Sequence, residues 1–168
     1  MSGHSKWSKV KHQKEVTDAA KGKLFTKAAQ AIAIAVREGG GFKLRLAIEK
    51  ARAVNMPKEN IERAVARASG QGSETLEAVL YEAYGPGGAA LLIEAVTDNR
   101  QRTVSVVRSI LENVGGTLGT TRFLFERTDE GFRPLAPYPV SDADRATLHE
   151  IVTKLEDLDD VHRVFTNV

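Results

Sequence analysis

Apolar residues recur three and four positions apart through the first part of the chain, and beyond residue 72 they crowd into short β-branched and aromatic runs. Leu24, Phe25, Ala28, Ala29, Ile32, Ala35 and Val36 form one helical stripe, which Thr17 or Asp18 is placed to cap and Gly39-Gly40-Gly41 stops. A second helix is predicted over 43–54, with Leu44, Ala47, Ile48 and Ala51 inward. Asn55-Met56-Pro57 breaks the pattern. Pro57 fits a first helical position, since its missing N–H has no partner there, and a third helix is predicted over 57–68 with Ile61, Ala64, Val65 and Ala68 on one face.

After Gly70-Gln71-Gly72 the period changes. Residues 78–84 and 89–96 read as strands joined through Gly85-Pro86-Gly87-Gly88, a turn and not a phosphate cradle, because no helix bearing Lys and Ser or Thr follows it. Asp98, with Gln101 as its capping-box partner, is expected to open a helix carrying Val104, Val107, Ile110, Leu111 and Val114, closed by Gly115-Gly116. A strand over 120–126, a linker or poor edge strand over 131–138, a helix over 142–158 capped by Ser141 and a strand over 161–167 complete the pattern. The fold expected is α+β. An N-terminal three-helix unit with a basic leader (1–72) precedes a ferredoxin-like α+β sandwich (73–168) with its helices on one face of a mostly antiparallel sheet.

A composition of 42% hydrophobic and 27% charged residues excludes disorder throughout. The chain has no cysteine, which excludes disulfides, thiolate catalysis and cysteine-ligated zinc. The apolar runs are too short to span a bilayer and the N-terminus lacks the apolar core of a secretory signal, so no membrane partner and a cytoplasmic location are expected.

Charge alters the picture most. Residues 1–72 hold ten lysines and five arginines against six acids, a net +9, whereas 73–168 carry −7. Lys6, Lys9, Lys11, Lys14, Lys21, Lys23 and Lys27 stand near the N-terminus with Trp7 and His12 among them. Lysine neutralises phosphate without demanding one geometry, and an indole offers a face on which a base can stack. These nine residues are the candidate nucleic-acid contacts, the plain alternative being a solvated basic leader. Asn99, Arg100 and Arg102, at a helix start, are a possible secondary phosphate contact, against the alternative of a cap with solvated arginines. Tyr81 and Tyr84 read first as sheet-packing residues and second as a base platform.

His4, His12, His149 and His162 lack metal-ligand spacing, and Asp157, Asp159 and Asp160 lack the alternating ligands and glycine of a calcium loop. No nucleophile motif is recognisable. The expectation is therefore a non-enzymatic protein with no metal, cofactor or small-molecule substrate.

The segments GHSKW (3–7), KLFTK (23–27), GGG (39–41), NMPKENIERA (55–64), YEAYGPGGAA (81–90), TDNRQRT (97–103) and LEDLDDVHRVFTNV (155–168) occur in an order that resembles the YebC family over nearly the whole chain. The resemblance implies a cytosolic, non-enzymatic regulator of gene expression. Family members have been regarded as probable transcriptional regulators, mitochondrial relatives look like translational activators, and bacterial members are linked to ribosomes stalled on proline-rich nascent chains. It also implies that an additional α/β domain, usual between the strand near Phe125 and the last helix, is reduced here to residues 126–139, and that the loop after Gly41 is shortened.

Three function classes follow: an RNA- or ribosome-associated translation factor, a DNA-binding transcriptional regulator, and a protein-interaction module using the acidic C-terminal half. The lysine-rich leader and the resemblance favour rRNA or the ribosome as partner over duplex DNA, since none of the three helices presents base-reading Asn, Gln and Arg together.

Overall fold

The protein is represented by a computed structural model that describes the backbone of residues 3–71 and 75–168, and side chains from residue 18 onward apart from 72–74. It divides into two compact units, Met1–Ser69 and Gly70–Val168.

The first unit holds α1 (Gly3–Arg37), α2 (Gly41–Ala53) and α3 (Lys58–Ala68). The helix expected to begin at Thr17 or Asp18 instead starts at Gly3. The residues N-terminal to that boundary include four lysines with Gln13 and Glu15, straight-chain residues that lose little rotamer freedom in a helix, and no proline interrupts them. At its other end Gly39 takes φ +101° while its N–H reaches Val36 O at 3.1 Å and that of Gly40 reaches Ala35 O at 2.9 Å. These two bonds satisfy carbonyls that the helix leaves open. Asn55, at φ 61°, closes α2 in the same way, with its N–H on Arg52 O and that of Met56 on Ala51 O.

Pro57 precedes α3 as its cap and is not its first helical residue. Its ψ of 146° is extended, and its carbonyl accepts the N–H groups of Asn60 and Ile61. Ile32, Ala35, Ala47, Ala51, Met56, Ile61 and Ala64 form the core of the unit. Four alanines among these seven let the helices approach closely, so the core is assembled from backbone proximity as much as from bulky side chains.

The second unit contains β1 (Glu77–Tyr84), β2 (Ala90–Thr97), α4 (Arg100–Glu112), β3 (Thr117–Leu118), β4 (Phe125–Thr128), β5 (Gly131–Pro134), α5 (Asp142–Glu156) and β6 (Val161–Thr166). Its main sheet runs β3-β1-β2-β6 and is antiparallel throughout. Helices α4 and α5 cover one face through Val107, Leu111, Leu148, Ile151 and Leu155, which pack on Ala83, Leu91, Ile93 and Val161. The chain is therefore an α+β protein, three helices followed by a sandwich domain.

The opposite face carries a layer that the sequence pattern does not announce. Strands β4 and β5 form a hairpin whose Phe125 and Phe132 pack on Ala90 and Leu92, with Leu80 and Phe165 alongside. Covered on both sides, every residue of β2 is buried, which explains why ALLIEAVT shows no apolar-polar alternation.

The strand expected over 120–126 begins only at Phe125. Residues Arg122–Leu124 form a 3-10 turn instead, because Glu82 Oε2 accepts the N–H groups of Thr121 (2.7 Å) and Arg122 (2.6 Å) while the buried Thr121 hydroxyl donates to Leu91 O. The stretch read as a linker or poor edge strand supplies β5. The cap of α4 is Asn99, not Asp98: its Oδ1 accepts the Arg102 N–H at 3.0 Å, so the expected Asp98–Gln101 capping box does not form.

Candidate nucleic-acid interface

Lys6, Trp7, Lys9, Lys11, His12 and Lys14 belong to the N-terminal turns of α1, and their side chains lie outside the described residues. Further along the helix Lys21 and Lys23 are exposed and Lys27 is half-buried. Lysines early in a helix oppose its dipole, so this charge does nothing for the helix itself.

The first unit adds cations that sequence reasoning passed over as site residues. Arg37, Arg45, Lys50, Arg52 and Arg63 are exposed and form no ion pair among the described residues. Lys43 and Lys58, by contrast, pair with Glu38 at 2.8 Å and Glu62 at 3.6 Å. The signal was available: each of these arginines and Lys50 falls outside the apolar stripe of its helix. Unpaired and solvated, such groups are free to exchange counterions for phosphates.

The second candidate site is gathered as expected at the start of α4, but its charges are already engaged. Arg102 lies 2.7 Å from Asp98 Oδ1 and 3.0 Å from Asp160 Oδ2, and the hydrogen bonds to Asp98 and then Asp160 push its guanidinium further above its already high range. Arg100 Nε lies 3.0 Å from Glu77. Asn99 uses its side-chain oxygen on the helix cap. A phosphate entering here would have to displace carboxylates from both arginines, so the geometry supports a structural role for the trio.

Asp160, which in sequence shows only the absence of a calcium-loop pattern, is the hub of this network. Besides Arg102 it accepts from the Thr103 hydroxyl at 2.7 Å and the Thr97 hydroxyl at 3.3 Å, and its backbone oxygen accepts the Val96 N–H. Nothing in local spacing could have shown this, because the partners lie 57 and 63 residues away. The tyrosines pack with the sheet: Tyr84 donates to Thr120 O at 2.9 Å, and burial raises the Tyr81 phenol above its usual range despite the nearby Arg100. Among the described residues no three His, Asp or Glu side chains are grouped to hold a metal ion, and no helix is long and apolar enough to cross a membrane.

Comparison with known proteins places this architecture. Residues 5–71 match the TACO1/YebC protein N-terminal domain, and residues 76–130 match the TACO1/YebC second and third domain. A probable transcriptional regulatory protein of Caldanaerobacter subterraneus is 52% identical over 125 residues, covering 71% of this chain and 51% of that one. One from Chloroflexus aurantiacus is 53% identical over 137 residues, covering 76% and 54%. The chain thus spans about half the length of the curated relatives it matches. The crystal structure of a conserved hypothetical protein from Aquifex aeolicus superposes with a TM-score of 0.79 at 30% identity, over 89% of this chain and 90% of that one. With both family domains matched in register across the two units, and identity above half over most of the chain, this protein belongs to the TACO1/YebC family.

Proposed function

We propose that the protein is a non-enzymatic, nucleic-acid-binding regulator of gene expression that acts on RNA, as a ribosome-associated translation factor. The observation that carries this reading is the separation of charge: +9 on residues 1–72 against −7 on 73–168, with Lys21, Arg37, Arg45, Lys50, Arg52 and Arg63 exposed on the first unit. A net field of that kind draws a polyanion to one unit and repels it from the other. Helices α2 and α3 are short and alanine-rich on their packed sides, and their exposed cations are spread over both, a pattern suited to following a backbone more than to reading base edges in a groove.

Duplex DNA is the second reading, favoured by one observation: the relatives from Caldanaerobacter and Chloroflexus are named probable transcriptional regulatory proteins. The two readings separate in one experiment. Native protein in lysate is sedimented through sucrose at low and at high salt. Co-migration with ribosomal particles at low salt and release at high salt is the outcome expected of an electrostatic RNA contact. Absence from ribosomal fractions at low salt, together with retention on duplex DNA, would assign the protein to transcription.

A further inference from the structure

Phe42 stands on the first turn of α2 with 71% of its surface exposed. Helical spacing puts Arg45 and Leu46, three and four positions on, beside it. Leu46 is itself 40% exposed, and Glu49 and Lys50 continue this outer face. The opposite stripe, Leu44, Ala47, Ile48 and Ala51, packs into the helical core, so the ring is excluded from that core by its position on the helix. A phenylalanine held in water forgoes the burial of a large apolar ring, and the charged residue beside it on this face is a cation, Arg45.

We infer that Phe42 is a stacking platform for an unpaired base of single-stranded RNA, with Arg45 holding an adjacent phosphate. This rests on the RNA-binding reading above and deepens it by naming a contact outside the N-terminal lysines. A base presents a flat π-face to an exposed ring, while the phosphates on either side of it require cations within reach. Arg45 and Lys50 are exposed and form no ion pair among the described residues, whereas Lys43, next to Phe42 in sequence, is held 2.8 Å from Glu38. Glu49 is the only acid in α2, and it lies two turns from Phe42.

Charge complementarity therefore favours a polyanion over a protein partner. Phe123, 64% exposed on the other unit, shows the contrast. The neighbouring Arg122 donates to Phe125 O at 2.7 Å and lies over the Phe132 ring, in a region whose net charge is −7. An exposed ring alone does not make a platform; at Phe42 the ring comes with uncommitted cations.

The test uses the full chain with a labelled short oligouridylate and, as control, a fully paired RNA duplex. Phe42→Ala is expected to weaken oligouridylate binding about tenfold and leave duplex binding unchanged, while Phe42→Tyr retains wild-type affinity. Arg45→Ala is expected to weaken binding and flatten the log-log salt slope by about 0.7. Wild-type affinity in Phe42→Ala, or equal losses on both RNAs, overturns the platform while leaving RNA binding by the leader intact. Failure of the wild-type chain to bind either RNA overturns the RNA reading, and the platform with it. A lowered melting midpoint in both Phe42 variants assigns the ring to packing, and a change of oligomeric state in Phe42→Ala at unchanged RNA affinity assigns it to a protein contact; either overturns the proposal.

Discussion

The Thr103 hydroxyl, buried on the first turn of α4, donates a 2.7 Å hydrogen bond to the carboxylate of Asp160, the residue that leads into β6. This bond ties the start of a helix to an edge strand of the sheet, and Thr97 and Arg102 converge on the same carboxylate. Thr103→Val is expected to lower the stability of the second unit by about 1–2 kcal/mol, the low end of the loss for a hydrogen bond to a charged acceptor, because Thr97 and Arg102 still hold the carboxylate. Asp160→Ala is expected to cost about 2–3 kcal/mol, because several donors lose their acceptor together. Urea denaturation of both variants checks the order, and a Thr103→Val variant more damaging than Asp160→Ala contradicts it.

Glu94 gives a pH-dependent prediction. The residue is 7% exposed on β2, and its nearest cation, Arg163 on the paired strand, is 3.5 Å from Oε2 and 44% exposed. Burial pushes the Glu94 carboxyl above its ordinary 4.5, and Arg163 only partly opposes it. When the folded state holds a proton more tightly than the unfolded chain, stability falls as pH rises. The fall begins near the ordinary value and ends above the raised one. Below that window both states carry the proton and Glu94 costs nothing. Denaturation midpoints measured against pH should therefore decline in the wild type across the window relative to Glu94→Gln, and parallel curves would show that Arg163 fully compensates the burial.

Replacing Lys6, Lys9, Lys11 and Lys14 together by Ala should weaken RNA binding and reduce the log-log salt slope by roughly 0.7–0.9 for each phosphate that these lysines neutralise. Affinity measured over a salt series checks this. A slope equal to that of the wild type would move the contact to the arginines of α2 and α3.

Trp7 separates RNA from DNA. Stacking on an unpaired base is worth about 1–3 kcal/mol, and duplex DNA offers no such face without unstacking a pair. Trp7→Ala is expected to weaken binding to structured single-stranded RNA about tenfold with little change on duplex DNA. Equal losses on the two ligands would assign the indole to packing.

A fragment covering residues 70–168 is expected to fold cooperatively on its own, since it holds a complete sheet with both faces covered, and to bind RNA poorly because of its −7 charge. Circular dichroism and a filter-binding titration decide both halves. Tight RNA binding by this fragment at moderate salt would return attention to Arg100 and Arg102.

Helix stripes are local, and the 3.6-residue recurrence of Ile32, Ala35, Ala47, Ala51, Ile61 and Ala64 is enough to predict which side of each helix is buried. Composition alone also carries the charge separation between the two halves, because a net charge needs no fold. The first helix outran its expected start because a possible cap at Thr17 or Asp18 is only permission to begin, and the good helix formers before it let the helix continue backward. What tertiary structure decided were pairings over long sequence separations. Glu82 holds residues 121–122 in a turn that their β-type pattern did not show, and the hairpin of Phe125 and Phe132 exists because β2 presents a second apolar face for it to cover. Asp160 draws Arg102 and Thr103 from the start of α4 onto one carboxylate, a link between residues some 57 positions apart that neither a phosphate contact nor a cap with solvated arginines had contained. Exposure, too, belongs to the fold. Phe42 is as apolar as Leu44 two positions on, yet α2 packs through Ala47 and Ala51 and leaves its ring facing water.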